Sequence, residues 1–126
     1  MKTGYLLVAT ALVEFATGVA LLVAPSFVVE LLLGEALGSA ASVLVARVAG
    51  AALAAIGLTC WLERDGSSAG LLAGLLAYNG AVALLLMHGA VFNGVHGLLL
   101  WPVAAAHIVF ALWCTVRLRH SSVPRP

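Results

Sequence analysis

The chain has 126 residues, of which 63% are hydrophobic and only 9% are charged. An ordinary soluble domain is about 25% charged, so six Lys and Arg with five Asp and Glu are too few to cover a water-facing surface. This composition excludes a soluble globular domain, a disordered chain and a nucleic-acid-binding protein, which would need a basic patch. No stretch is long and polar enough for a second domain, so we expect a single transmembrane domain over residues 1–126.

Four apolar stretches fit the length of a membrane-spanning helix, which needs about 20 residues to cross a hydrocarbon core of about 30 Å. The first ends before Pro25, and the second ends at the polar turn 63–68. Only the region 93–97 divides the last two, which predicts a tight hairpin there. The fourth has Pro102 near its start, where a missing N–H costs least. The predicted spans are approximately 5–23, 39–62, 69–91 and 97–118.

The basic residues of the short loops predict the orientation. If the N-terminus is cytoplasmic, five Lys and Arg lie inside and none lies in the outer loops 24–38 and 92–96. We therefore predict an all-α integral membrane four-helix bundle with an up-down-up-down path and both termini in the cytoplasm. The five basic residues are Lys2, Arg64, Arg117, Arg119 and Arg125.

Small residues that let two helices approach closely recur in every span, which favours a compact bundle. They are Ala16, Gly18 and Ala20 in the first span, Ala46, Gly50, Ala54 and Gly57 in the second, Gly70, Ala73, Gly74, Ala77 and Ala81 in the third, and Ala104 and Ala111 in the fourth.

The segment 26–33 is apolar but too short to cross a membrane. It is either a short helix in the membrane interface, following Pro25 and ending at Gly34, or an apolar loop packed over the mouth of the bundle.

The sequence predicts no cofactor and no metal site. Cys60 and Cys114 lack a CxxC spacing and fall near predicted cytoplasmic helix ends, so we expect free thiols that act as packing residues. His88 and His96 match no established metal-ligand spacing.

Each predicted span carries one strongly polar side chain near its middle. At 1.5 Å per residue, Glu14, Arg47, Asn79 and His107 lie about 12–15 Å from a membrane face, close to the midplane. A charge at that depth costs about 2.5–3.5 kcal/mol, so we expect Glu14 to pair with Arg47 on the adjacent antiparallel helix. Asn79 and His107 would complete the hydrogen bonding of the pair. The full candidate cluster is Glu14, Arg47, Asn79, His107, Thr10, Thr17 and Tyr78.

Three functions are compatible with this cluster. It binds or passes a small solute, an ion or a lipid-like ligand, with His107 able to exchange a proton. Alternatively, it is a closed structural network in an accessory or assembly subunit of a larger membrane complex. A third alternative is an intramembrane enzyme acting on an amphipathic lipid, with Glu14 or His107 as acid or base, although no catalytic motif is present. The expected partners are the lipid bilayer, a small-molecule ligand, and either further copies of the chain or a larger membrane complex, but no nucleic acid.

Two stretches carry a resemblance to a known family. They are Glu14-Phe15-Ala16-Thr17-Gly18 followed by Leu21-Leu22-Val23-Ala24-Pro25, and Arg47-Val48-Ala49-Gly50 followed by Leu53 and Gly57. With these residues, which belong to about half of the chain, the sequence resembles the DoxX-like group of small bacterial four-helix membrane proteins, many of them uncharacterised. The resemblance implies the four-helix fold and a location in the bacterial inner (plasma) membrane, and it assigns no catalytic residue.

Overall fold

The computed structural model of the protein describes residues 3–66 and 68–121, and within these ranges the only regular elements are five α-helices. All of them except α2 are long and apolar enough to cross a membrane. The predicted all-α class and the four membrane-length helices are therefore confirmed. The helices are α1 (Thr3–Val23), α2 (Pro25–Leu33), α3 (Ala40–Leu62), α4 (Ala69–Phe92) and α5 (Leu100–Ser121).

Serine side chains fix where α3 and α4 begin. Ser39 and Ser42 form a capping box, in which each hydroxyl oxygen accepts a hydrogen bond from the other residue's backbone N–H at 3.1 Å. The Ser68 hydroxyl oxygen accepts from the Leu71 N–H at 3.1 Å. These bonds satisfy N–H groups that have no partner inside the helix.

The short apolar segment 26–33, for which the sequence allows either a helix or a loop, is part of helix α2. Pro25 occupies its first turn, where the missing N–H is not needed. Gly34 ends it in the left-handed conformation with a φ of 82°, and its N–H donates to the Glu30 carbonyl oxygen at 2.8 Å. The helical conformation of the segment, with Gly34 as its terminator, is confirmed, and its location in the membrane interface stays a prediction.

The last long helix starts later than the sequence indicates, at Leu100 rather than near Gly97. Residues 93–99 pass along the end of α2 and bond to it instead of continuing as helix. A Cβ atom on Gly97 would overlap the backbone of Leu32, so the close passage requires glycine. Two main-chain hydrogen bonds hold the passage, from His96 N–H to the Leu33 oxygen at 3.2 Å and from Leu99 N–H to the Leu31 oxygen at 2.9 Å.

Helices α1 and α3 run antiparallel in backbone contact. A Cβ atom on Gly18 would lie 2.5 Å from Ala54 N and 2.6 Å from Gly50 O. Toward the other end of the pair, a Cβ atom on Gly57 would lie 2.6 Å from Phe15 N. The small residues predicted to let these two helices approach are used in this way.

The five small residues predicted to pack α4 into the bundle are all exposed in the structure. A Cβ atom on Gly74 would meet nothing within 4 Å, and one on Gly70 would meet only the Ser68 hydroxyl. Ala73 and Ala77 are exposed on the same helix. The expectation that these residues pack inside the bundle was wrong, because α4 turns a different face, which includes Leu72, toward the core.

A hydrophobic core joins the four long helices in the half that contains the start of α1 and the end of α5. Both cysteines are free and fully buried in it, as expected for packing residues. The core residues are Leu6, Leu7, Ala11, Cys60, Leu72, Leu75 and Cys114. The buried polar residues Glu14 of α1 and Asn79 of α4 lie directly beside this core.

Candidate functional site

Glu14 lies near the middle of α1 with only 2% of its surface exposed. The Tyr78 hydroxyl on α4 donates a hydrogen bond to Glu14 Oε2 at 2.9 Å. The other carboxyl oxygen, Oε1, is buried and has no hydrogen-bond partner within residues 3–66 and 68–121. A buried acceptor left in this state costs about 1–3 kcal/mol, and more in an apolar environment.

Asn79 and His107 form a second hydrogen-bonded pair, between α4 and α5. Asn79 Nδ2 donates to the Leu75 carbonyl oxygen at 2.8 Å, and Asn79 Oδ1 lies 2.8 Å from His107 Nδ1. The Leu75 carbonyl oxygen can only accept a hydrogen bond, so the Asn79 nitrogen must face it. If the Asn79 amide were rotated by 180°, its own oxygen would face the Leu75 oxygen, and two acceptors would be in contact. His107 Nδ1 therefore carries the proton and donates to Asn79, which leaves Nε2 of the neutral ring as an acceptor.

An edge-on ring contact joins the two pairs. The rings of Tyr78 and His107 lie 5.6 Å apart at an angle of 81°. Glu14, Tyr78, His107 and Asn79 thus form one continuous group, which we call the polar cluster. It connects α1, α4 and α5 at mid-helix.

Most of the unused hydrogen-bonding capacity of the polar cluster consists of acceptors. The Tyr78 proton is donated to Glu14, the His107 Nδ1 proton to Asn79, and one of the two Asn79 Nδ2 protons to the Leu75 carbonyl. The acceptors left are Glu14 Oε1, a lone pair of the Tyr78 oxygen and His107 Nε2, and the donor left is the second Nδ2 proton of Asn79. Glu14 Oε1, the buried atom without a partner among the described residues, is suited to a ligand that donates a hydrogen bond or carries positive charge.

The two threonines predicted to share the polar side of α1 differ in position. Thr10 is buried at 1% exposure, one turn before Glu14, whereas Thr17 is only partly buried. Neither makes a side-chain hydrogen bond to any residue that the structure describes. Thr10 borders the polar cluster, and Thr17 lies at the margin of this helix face.

Arg47 is not part of the polar cluster, and its predicted pairing with Glu14 was wrong. The Arg47 side chain is exposed, whereas Ala46 and Gly50 occupy the buried side of α3. The reason is steric. Where Gly50 meets Gly18, the two backbones are in contact, and this side of α3 has no room for a guanidinium group.

A groove of about 280 Å³ lies between α1 and α3 on the surface, with apolar side chains only. Its volume fits part of an acyl chain, but none of its lining residues belongs to the polar cluster. They are Ala11, Leu12, Phe15, Gly57, Leu58 and Trp61.

The backbone carbonyl of Leu75 is the one cluster partner that the sequence did not single out. Its signal is the spacing of four residues before Asn79, since a helical side chain bonds most readily to the carbonyl one turn earlier. In the part of the chain that the structure describes, no three His, Cys, Asp or Glu side chains are grouped as metal ligands.

Comparisons of the chain with protein-family models, with curated proteins and with solved structures find no match. The function of the chain is therefore inferred from its own residues.

Proposed function

We propose that the chain is a multi-pass protein of the bacterial inner membrane, forming a single transmembrane domain. Its four long helices form an up-down-up-down bundle with both termini in the cytoplasm. The antiparallel contact of α1 with α3 supports this path. So does the 2.9 Å hydrogen bond from Arg117 Nε, near the end of α5, to the Thr3 hydroxyl at the start of α1. The cytoplasmic excess of basic residues supports the orientation, and the resemblance to the DoxX-like group stays an expectation from sequence.

The polar cluster binds a small cation near the midplane of this bundle, and the smallest such ligand is a proton. The observation that carries this proposal is the buried Glu14 Oε1, to which no described residue donates a hydrogen bond. In a bilayer no water is present to satisfy such a group, and each one costs several kcal/mol. A donor or cation bound there offsets that cost.

Burial limits the size of the ligand. Asn79 is fully buried, and Glu14 and Thr10 are exposed by no more than 2%. A proton, a monovalent metal ion or a small ammonium ion fits such a site better than a lipid-like molecule. The apolar groove between α1 and α3 offers a lipid chain a separate place at the surface.

Isothermal titration calorimetry on the protein in lipid nanodiscs tests this function. Sodium, potassium and methylammonium chlorides are the probes at constant ionic strength. We expect one of these cations to bind, and E14Q to weaken its binding at least tenfold, which corresponds to about 1.4 kcal/mol. E30Q makes the same chemical change on an exposed acid of α2 and should bind as the wild type does. Equal binding by the wild type and E14Q would contradict the proposal.

A second candidate function, a subunit of a larger membrane assembly, is favoured by a different observation. Arg47 is exposed two turns into a membrane-length helix. Such a residue requires a partner that the described chain does not supply.

A further inference from the structure

Arg47 lies inside α3 and has no partner among the residues that the structure describes. It is about 10 Å from the start of this 23-residue helix and about 22 Å from its end. The described residues give it no hydrogen bond and no ion pair, and the ion pair they do contain joins Arg64 to Asp65 in the loop after α3. On insertion scales an arginine that faces lipid costs about 2.5–3.5 kcal/mol at the helix centre, and Arg47 lies about 6 Å from the centre of α3.

The side of α3 that carries Arg47 is not covered by any other residue that the structure describes. Among the described helices, the α3 backbone closely approaches only α1 and α2. One turn and two turns after Arg47, Ala51 and Ala55 are exposed on the same side, and such small side chains let another helix approach closely. We call this surface the α3 outer face, and its residues are Leu44, Arg47, Val48, Ala51, Ala55 and Leu58.

A second copy of the chain does not supply the missing partner. In a symmetric pair of copies inserted in the same direction, the two α3 outer faces would set Arg47 against Arg47 at one depth. The one acid within a membrane-length helix of the described chain is Glu14, which is buried and bonded to Tyr78. A carboxylate that complements Arg47 would therefore have to lie on a different protein.

We propose that the α3 outer face binds a transmembrane helix of another protein that carries an Asp or Glu at the depth of Arg47. The guanidinium group forms a two-pronged hydrogen-bonded pair with that carboxylate, and the adjacent alanines let the two backbones approach. This inference rests on the second proposed function and is independent of cation binding at Glu14.

Synthetic transmembrane peptides test the inference with a defined partner. The parent peptide is a Leu/Ala helix with one Glu at the depth of Arg47. Its variants carry Gln or Leu at that position, or the Glu two turns closer to one end. Energy transfer between labelled protein and labelled peptide is measured in phosphatidylcholine liposomes, which contain no anionic lipid that could compete for Arg47.

We expect the Glu peptide to associate at least tenfold more tightly than the Leu peptide, with the Gln and shifted peptides weaker than the Glu peptide. R47L should remove this preference. R64L, which changes an arginine outside the helices, should keep it. E14Q should also keep it, which separates this result from the cation site. Because the peptide series uses the wild-type protein, the preference is measured even if R47L is poorly folded.

Three results would overturn the inference. The first is equal association of the Glu and Leu peptides with the wild-type protein, and the second is equal association of the Glu and Gln peptides. The third is self-association of the labelled protein that R47L abolishes, because the α3 outer face would then bind a second copy.

Discussion

Replacing Gly18 by alanine tests the backbone contact that holds α1 against α3. The added Cβ atom would lie 2.5 Å, 2.6 Å and 3.0 Å from three backbone atoms of α3. Backbone atoms cannot rotate away as a side chain does. The two helices must therefore separate by roughly 1 Å, and overpacking of this kind costs about 1–3 kcal/mol.

Gly74 provides the matched control on α4. A Cβ atom there would meet nothing within 4 Å, so G74A adds the same methyl group without a clash. Both changes gain up to about 1 kcal/mol from the higher helix propensity of alanine. The difference between the two variants therefore isolates the packing cost, and we expect G18A to be less stable than G74A by about 1–3 kcal/mol.

Unfolding of both variants by SDS in mixed micelles, followed by tryptophan fluorescence and circular dichroism, measures this difference. A G18A variant as stable as G74A would refute the close contact between α1 and α3. Steric exclusion of Arg47 from the interface between α1 and α3 would then be refuted as well.

Two further substitutions test the other contacts that position the polar cluster. Y78F removes the donor to Glu14 Oε2 and should lower the free energy of unfolding by about 1–3 kcal/mol, the cost of leaving a buried acceptor unsatisfied, whereas Y5F on the exposed Tyr5 should change it little. Equal SDS midpoints for Y78F and Y5F would contradict this bond. G97A should displace residues 93–99 from the end of α2 and lower the thermal unfolding temperature, while G38A, where a Cβ atom meets nothing within 4 Å, should not. An unfolding temperature of G97A that matches that of G38A would show that the passage beside α2 is not tight.

The four long helices could be predicted from the sequence. Features that depend on tertiary contacts, such as the start of the last helix, could not. Uninterrupted apolar length predicts a membrane-length helix whatever its neighbours are. In contrast, the start of the last helix depends on hydrogen bonds to α2, and these bring together residues more than sixty positions apart. Nothing local marks Gly97 as part of a passage rather than of a helix.

Arg47 is the residue of the candidate site whose position could not be predicted from the sequence. Depth along a helix can be counted from the sequence, and it places Glu14 and Arg47 at similar levels. The direction in which each side chain points depends on which face of its helix is packed. Ala46 and Arg47 are neighbours in sequence but lie about 100° apart around α3. The close packing of the small residues places Ala46, and not Arg47, on the side of α3 that faces α1. This packing outweighs the attraction between the charges of Arg47 and Glu14.

Glu14 and Tyr78 could be grouped from sequence because both are polar residues near the middle of apolar spans. Their 2.9 Å bond, and the absence of a second partner for the carboxyl group among the described residues, are visible only in the packed structure. That absence is what changes a set of polar residues at one depth into a candidate cation site.

Infrared difference spectroscopy of the Glu14 carboxyl group measures whether this residue takes up a proton or another small cation. Wild-type protein, E14Q and E30Q in lipid films are exposed to steps of pH and, at constant pH, to the probe cations. We expect a carboxyl or carboxylate band that changes in the wild type and in E30Q and is missing from E14Q. Identical difference spectra for the wild type and E14Q would contradict this expectation, because Glu14 would then exchange no ligand.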